Sequence, residues 1–274
     1  MTIEELIIYG KKYLSSIETK MLLSRVTGYD TLNLLNYLDK KLNENEVDTY
    51  KRLIEARLNN TPIQYILGTT NFYGIELIVN ENVLIPRFET EELVENTLQM
   101  INNKFSDNVK VLDLCCGSGA IGITLKSKLP NLDVTMSDIS IEALNVSKKN
   151  LEKHNLDIKI IRSDLFNEID DKYDVIISNP PYIRLDEEID SLVKENEPDI
   201  ALYGGEDGLF YYRNILENIS KHLNEKFLIA FEIGYEQKDD IINIINNNLK
   251  NVEIIAKKDL SGKDRMIFIT SKEL

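Results

Sequence analysis

Four short apolar runs, at residues 109–116, 132–137, 158–162 and 173–178, lead into glycine or polar side chains and are separated by helical patterns. Apolar runs of this length without strict alternation are typical of strands buried on both faces. Strands that alternate with helices form a parallel sheet with helices on both faces. The carboxyl ends of parallel strands share one edge, so we expect the side chains that follow the four runs to meet there. The sequence therefore predicts an α/β fold with a site at that edge.

Three more strands are predicted beyond these runs. Apolar segments at 226–233, 252–256 and 266–270 have the length and composition of strands, and helices are predicted at 141–154, 209–223 and 239–249. The connection between the last two strands is too short for a helical crossover. We expect those two strands to pair antiparallel, or to have another strand between them.

The N-terminal part of the chain predicts a separate helical domain. Residues 1–61 carry helical patterns only, among them a short apolar helix at 31–38 and a helix that begins at the Asn43–Glu46 capping-box pair. Residues 62–84 predict a β-hairpin linker, because glycines there separate short apolar runs that begin at Ile63. The third predicted segment, at 85–274, contains the strands.

The first run leads into Gly117-Ser118-Gly119-Ala120-Ile121-Gly122, a G-x-G-x-x-G sequence that opens a helical pattern. Glycines are needed where a ligand approaches the backbone closely and where a helix starts tightly against a strand. The second run ends at Asp138, whose carboxylate can accept hydrogen bonds from a ribose diol. These two features alone fit a nicotinamide enzyme as well as any other nucleoside-binding protein.

Three details favour S-adenosylmethionine as the cofactor. Asp113 lies just before the glycines, Asp164 and Leu165 follow the third run, where they suit an adenine ring, and Asn179 follows the fourth run. Methyltransferases commonly carry an acidic residue before the glycines, and the fourth strand end is where a methyl acceptor would meet the donor. The predicted cofactor-binding residues are Asp113, Cys115, Cys116, Gly117, Ser118, Gly119, Asp138, Asp164, Leu165 and Asn179.

The tetrapeptide Asn179-Pro180-Pro181-Tyr182 is the most informative chemical feature of the chain. Consecutive prolines stop the strand and turn the backbone sharply. An amide side chain and free backbone carbonyls beside an aromatic ring can accept both hydrogens of a planar NH₂ group. This sequence is best known from methyltransferases that modify amide or nucleobase nitrogens, although an ordinary turn after a strand is the alternative.

Composition narrows the possible classes. The chain of 274 residues is 43% hydrophobic and 28% charged, which is typical of soluble proteins, and no apolar run approaches a membrane span. The start of the chain lacks the basic residues of a secretory signal, so a cytoplasmic location is expected. Cys115 and Cys116 are expected on opposite faces of the first strand as core residues, without a disulfide or a metal. The two histidines are expected to be solvated, which leaves no hydrolase triad.

The charge is distributed unevenly. Residues 1–80 carry 9 basic and 10 acidic side chains, so almost all of the net charge of −14 falls in residues 81–274. An acidic catalytic part repels a phosphate backbone. A protein acceptor is therefore favoured over direct contact with nucleic acid.

With these motifs identified, the chain closely resembles the peptide chain release factor glutamine methyltransferases over nearly its whole length. Besides the glycine loop and Asn-Pro-Pro-Tyr, the resemblance rests on residues 62–68, 84–87, 90–91, 197–198, 201–202, 204–209, 232–234, 237 and 259–265. The Asn-Pro-Pro-Tyr sequence alone is shared with DNA adenine methyltransferases, whereas the segments on either side of the fold are much narrower signals.

The resemblance implies a class I, Rossmann-like methyltransferase sheet of seven strands, the last inserted antiparallel, with a helical domain that docks the substrate. It also implies methyl transfer to the glutamine side-chain nitrogen of the Gly-Gly-Gln motif in class 1 release factors, without a metal. Asn179, Pro180 and Tyr182 are the implied catalytic residues, and Asn179, Pro180, Pro181, Tyr182 and Arg87 the implied substrate-binding residues. The chain departs from the family at Cys115-Cys116, where a glycine and a hydroxyl residue are common, and at Phe88-Glu89, where Pro-Asp is usual.

Several alternatives stay open at this point. The same site could methylate a glutamine of a ribosomal protein, or a nucleic-acid amine, although the acidic charge opposes the latter. A protein that only senses S-adenosylmethionine would not need Asn-Pro-Pro-Tyr, and a nicotinamide dehydrogenase leaves that sequence unexplained. Glu232 and Arg265 are equally compatible with a buried structural pair and with a functional role.

Overall fold

The computed structural model describes residues 1–106 and 108–272, which form two compact units. The N-terminal unit consists of Met1–Thr69 together with Asp190–Asn196, and the second unit contains the remaining described residues. The end of the predicted third segment, at 274, lies outside the described residues.

The N-terminal unit is built from helices whose starts are encoded locally. Capping boxes open three of them, with Thr2, Ser15 and Asn43 as the N-caps. Each of these side chains accepts a hydrogen bond from the third helical residue, which satisfies an otherwise free N–H. Buried side chains from several helices, including Leu22, Leu23, Tyr50 and Ile54, form the core. The helices are α1 (Ile3–Gly10), α2 (Ser16–Thr27), a 3₁₀ helix (Asn33–Tyr37), α3 (Glu44–Leu58) and α4 (Ile63–Leu67).

One local prediction for this unit is wrong. The segment from Ile63, predicted as turns and short strands, is helix α4, which starts after Pro62 and stops at the left-handed Gly68 with φ 74°. Proline is favoured at helix starts and glycine at helix ends, and the apolar side chains of α4 pack on the helical core. The predicted short helix at 31–38 is present, as a 3₁₀ helix at Asn33–Tyr37. The compact unit extends past residue 61, where the sequence placed its end.

The second unit alternates strands and helices as predicted. A short helix in residues 190–196 interrupts it and belongs to the N-terminal unit, where Glu195 accepts a hydrogen bond of 2.6 Å from the Asn60 amide. The strands are β1 (Thr69–Phe72), β2 (Ile75–Ile78), β3 (Lys110–Leu114), β4 (Asp133–Asp138), β5 (Lys159–Arg162), β6 (Tyr173–Ser178), β7 (Leu223–Glu232), β8 (Val252–Lys258) and β9 (Asp264–Ser271). The helices that follow α4 are α5 (Phe88–Lys104), α6 (Ala120–Lys128), α7 (Ile141–His154), α8 (Ser191–Lys194), α9 (Asp199–Leu202), α10 (Phe210–Asn218), which a 3₁₀ turn (Ile219–His222) continues, and α11 (Lys238–Asn248). Of these, α8 is the short helix that belongs to the N-terminal unit.

Seven strands form the main sheet in the order β5-β4-β3-β6-β7-β9-β8, while β1 and β2 form a separate pair. The strands from β3 to β7 are parallel, and β9 is antiparallel to both of its neighbours, β7 and β8. The Rossmann-like fold with an inserted antiparallel strand is thus confirmed. Of the two arrangements predicted for the last strands, antiparallel pairing is the one observed.

Both faces of this sheet are buried. Val111, Val175 and Leu228 point to one apolar cluster, and their chain neighbours Leu112, Ile176 and Ile229 point to the other. Because successive side chains of a strand alternate between faces, continuous apolar runs supply both clusters at once. In the part of the chain that the structure describes, no helix combines the length and the apolar character needed to cross a membrane.

Candidate functional site

The glycine loop joins β3 to α6 and depends on left-handed backbone conformations. Gly117 and Gly119 have φ of 54° and 82°. Gly122 is needed for a different reason, because a Cβ atom there would lie 2.8 Å from Cγ and Sδ of Met136. The three glycines of the motif therefore provide two backbone turns and one close helix–strand contact.

Cys115 corrects the sequence-based interpretation of the first strand. Strand β3 ends at Leu114, and Cys115 adopts φ 64°, so the two cysteines are not strand neighbours on opposite faces. A non-glycine residue in this region carries a conformational cost, so Cys115 stands where a glycine would be less strained. Burial raises the pKa of both thiols, so they stay protonated at neutral pH and do not act as nucleophiles.

Two carboxylates hold the loop through its backbone. Asp113 Oδ2 accepts a hydrogen bond of 2.8 Å from the Gly122 N–H, and Asp138 Oδ2 accepts one of 2.8 Å from the Gly117 N–H. The other oxygen of Asp138 accepts from the Ser140 N–H at 2.9 Å. Burial raises the pKa of Asp113 to about 7 and also raises the pKa of Asp138, while these N–H donors oppose the shift.

A cavity lies at the carboxyl ends of β3, β4, β5 and β6. Strand ends of a parallel sheet are the usual position of such a site. The structure brings most of the predicted residues together around this cavity, namely Cys115, Cys116, Gly117, Ser118, Asp138, Asp164, Leu165, Asn179 and Pro181.

Five predicted site residues do not line this cavity: Asp113, Gly119, Pro180, Tyr182 and Arg87. Asp113 and Gly119 instead shape the loop: Asp113 accepts a hydrogen bond from the Gly122 N–H, and Gly119 provides a left-handed turn. Arg87, predicted to bind substrate, forms an ion pair of 2.5 Å with Glu197, which also accepts the Ile85 N–H at 3.0 Å. In this structure Arg87 therefore joins the segment before α5 to the segment before α9.

Thr90 and Asn179 line one side of the cavity, the acceptor side, where side-chain hydrogen bonds converge on Glu232, the last residue of β7. Glu232 is 1% exposed. Its Oε2 accepts from the Thr90 hydroxyl at 2.6 Å, and its Oε1 from the Tyr182 hydroxyl at 3.3 Å. The Asn179 amide nitrogen donates to the Thr90 oxygen at 3.2 Å. Burial raises the pKa of Glu232 to about 7, against the opposing effects of Thr90 and Arg265.

Arg265 does not form the direct ion pair with Glu232 that the sequence left open. Its Nε lies 3.2 Å from Asp259 Oδ2, and its Nη1 donates to the Ile233 carbonyl. Glu232 is thus held by neutral hydroxyl groups, and Arg265 acts on it only through its more distant charge.

Further lining residues were not predicted. Thr90, Leu84 and Pro86 line the cavity and lie in segments that the family resemblance had singled out, as do Pro198 and Ala201. Tyr211 also lines it, on helix α10. No local sequence signal identifies Tyr211, because only the tertiary fold brings this helix to the strand ends.

The lining suits a nucleoside bound to a methionine-like chain. The Asp138 carboxylate lies in the cavity wall, where it can accept hydrogen bonds from a ribose. Ile139 and Leu165 offer apolar surface for a base. Open space surrounds the position of a Cβ atom at Gly117, so a ligand can approach the loop backbone there. Within the described ranges, no group of three His, Cys, Asp or Glu side chains is arranged to hold a metal ion.

Two family models match the chain. Residues 5–68 match the PrmC N-terminal domain, and residues 90–196 match the Methyltransferase small domain. A release factor glutamine methyltransferase of Clostridium botulinum is 43% identical and covers 97% of this chain and 98% of its own length. The chain belongs to the release factor glutamine methyltransferase family. A family member from Bacillus subtilis is 37% identical over 97% of this chain and 96% of its own length.

A solved structure supports the fold independently of sequence. A methyltransferase from Pyrococcus furiosus aligns with a TM-score of 0.55 at 18% identity, covering 80% of this chain and 98% of that protein. At this identity the likeness shows the methyltransferase fold alone.

Proposed function

We propose that the protein transfers a methyl group from S-adenosylmethionine to the side-chain nitrogen of the glutamine in the Gly-Gly-Gln motif of class 1 release factors. The observation that carries this proposal is the Asn179 amide, which lies in the same cavity wall as the glycine loop and is anchored through its nitrogen to Thr90. The family membership supports the same acceptor. The five predicted residues that do not line the cavity keep their proposed roles in shaping the loop or contacting the acceptor.

The acceptor is the difficult part of this reaction. An amide nitrogen shares its lone pair with the neighbouring carbonyl and is a weak nucleophile, whereas the sulfonium of S-adenosylmethionine supplies an electrophilic methyl carbon. In the reaction a carbon–nitrogen bond replaces the methyl carbon–sulfur bond, S-adenosylhomocysteine is the leaving group, and the nitrogen loses one proton to solvent. The enzyme must therefore orient the amide, and good orientation alone lowers barriers by several kcal/mol, up to about 7–11 in ideal cases.

Three residues of the Asn-Pro-Pro-Tyr turn perform this orientation. The Asn179 side-chain oxygen and the Pro180 carbonyl accept the two N–H groups of the glutamine, which fixes the nitrogen and its direction. The Tyr182 ring packs against the amide plane. Its hydroxyl lies 3.3 Å from Glu232 and its carbonyl accepts from the Gln237 side chain at 2.9 Å, so both ends of Tyr182 are fixed.

The domain organisation and the uneven charge support further proposals on substrate docking and on the class of acceptor. The N-terminal helical unit docks the release factor, and the acidic catalytic part makes a protein a better acceptor than nucleic acid. A protein of this function works in the cytoplasm, where translation ends.

The decisive experiment is transfer of labelled methyl from S-adenosylmethionine to a purified class 1 release factor. A release factor whose Gly-Gly-Gln glutamine is replaced by alanine is the control. We expect label on the wild-type factor only. Label on both factors, or label only on a ribosomal protein or on nucleic acid, would overturn the proposed acceptor.

A further inference from the structure

The orientation of the Asn179 amide decides whether the proposed acceptor can bind. The side chain has an acceptor end, Oδ1, and a donor end, Nδ2, which have nearly the same shape. A glutamine NH₂ group brings two donors, so it needs an oxygen facing it. If Nδ2 faced the glutamine, two donors would meet and the hydrogen bond would be lost.

The hydrogen bonds around Thr90 select one of these two orientations. A hydroxyl has one hydrogen, and when Glu232 is ionised its carboxylate can only accept, so that hydrogen of Thr90 is directed to Glu232 Oε2 at 2.6 Å. Towards Asn179 the Thr90 oxygen can then only accept, and it does so from Nδ2 at 3.2 Å. With Nδ2 held there, Oδ1 is the end left to accept a hydrogen bond from the glutamine NH₂ group.

Burial makes this selection effective. Thr90 is 4% exposed and Glu232 1% exposed, so water does not readily replace either partner. Glu232 is itself fixed by the Tyr182 hydroxyl on its side chain and by the Tyr212 hydroxyl, which donates to its backbone carbonyl at 2.6 Å. With Glu232 ionised, the chain of bonds from Glu232 to Asn179 therefore has one direction.

We propose that Thr90, with its hydroxyl held by Glu232, is a positioning residue that fixes the Asn179 amide with its oxygen towards the acceptor. The inference rests on the proposed function, since only an NH₂ acceptor makes the orientation matter. It adds two residues outside the Asn-Pro-Pro-Tyr turn to the determinants of the reaction, and both lie far from Asn179 in sequence.

Thr90→Val and Thr90→Ser provide a matched test. Valine keeps the shape of threonine but removes the hydroxyl, whereas serine keeps the hydroxyl. We expect Thr90→Val to lower kcat for the release factor by 10- to 100-fold, with the Kd for S-adenosylmethionine changed less than threefold by calorimetry. Thr90→Ser should stay within threefold of the wild type in both quantities.

A second measurement does not depend on the substrate. The Asn179 side-chain NH₂ resonances, assigned by their loss in Asn179→Ala, should exchange slowly in the wild type and in Thr90→Ser, and faster in Thr90→Val. Unchanged kcat or unchanged exchange in Thr90→Val would overturn the positioning role. Absence of methyl transfer by the wild type, with the exchange pattern as expected, would instead overturn the proposed function.

Discussion

The glycine loop and the acceptor side adjoin the same cavity but are held in different ways. On the loop side, Asp113 and Asp138 accept hydrogen bonds from backbone N–H groups of Gly122 and Gly117. On the acceptor side, Glu232 accepts from the hydroxyl groups of two side chains. The loop is thus fixed by its backbone, and the acceptor side by a chain of side chains.

This difference separates two tasks. A loop held in this way tolerates changes of its side chains, because main-chain N–H groups donate its hydrogen bonds. In a side-chain network, a substitution that removes one hydroxyl or carboxylate also removes a hydrogen bond on which the position of Asn179 depends. Substitutions on the two sides should therefore affect different measurable quantities.

The largest effect is expected from Asn179→Ala. It removes the oxygen that accepts an N–H of the glutamine and should lower kcat by about 10²–10³-fold, comparable to loss of one preorganised hydrogen bond at a reacting group. The Kd for S-adenosylmethionine should change only slightly. Methyl-transfer kinetics and calorimetry measure the two quantities, and equal changes in both would remove the distinction between the two sides.

Glu232→Gln tests the buried carboxylate of the acceptor side. The native pKa of Glu232 is about 7, above the ordinary value of 4.5, so its protonated form favours folding and this stabilisation is lost as pH rises from 4.5 through 7. Glutamine does not titrate. Relative to the variant, the wild type should lose up to about 3 kcal/mol of unfolding free energy between pH 4 and pH 8.5.

Urea unfolding at several pH values measures this difference. Asp113 also has a raised pKa, but it titrates in both proteins and cancels in the comparison. A difference that does not vary with pH would show that the pKa of Glu232 is not shifted by folding, with the charge of Arg265 offsetting the effect of burial.

Asp138→Ala is the counterpart of Asn179→Ala on the loop side. It removes the acceptor of the Gly117 N–H and the proposed ribose contact, and should weaken S-adenosylmethionine binding by roughly 30-fold, or about 2 kcal/mol. At saturating cofactor, kcat should remain near that of the wild type. A large loss of kcat with unchanged affinity would place Asp138 in the acceptor network instead.

The smallest effects separate the roles of the glycines. Gly122→Ala should cost about 2 kcal/mol of unfolding free energy, because its Cβ would lie 2.8 Å from Met136. Gly117→Ala should cost about 1 kcal/mol, since its φ of 54° is strained for alanine but the space is open. Chemical denaturation measures both, and a reversed order would mean that Met136 moves aside easily.

The sequence predicted the loop side better than the acceptor side. Gly117 and Asp164 come shortly after β3 and β5, and Asp138 ends β4, so local pattern and strand order suffice to place them in one cavity. Thr90 lies 89 positions from Asn179 and 142 from Glu232, and no local pattern connects them. No local pattern connects Arg87 with Glu197 either, so the sequence fitted a substrate-binding role for Arg87 as well as the observed ion pair.

The helix at Ile63–Leu67 shows a different limit. Five residues are too few to establish a helical or a strand period, and apolar residues between a proline and a glycine fit a turn equally well. Packing on the N-terminal core decides the outcome.

The insertion of β9 between β7 and β8 also sets the order in which the protein can be completed during synthesis. Strands β3 to β7 are made first and can pair in parallel, but the outer edge of β7 has no partner until residues 264–271 have emerged. Glu232 pairs with Met266 on β9, so the strand end that carries the acceptor network is among the last parts to be enclosed. Until then a nascent chain exposes an apolar strand edge, which is a site for wrong pairing with other chains.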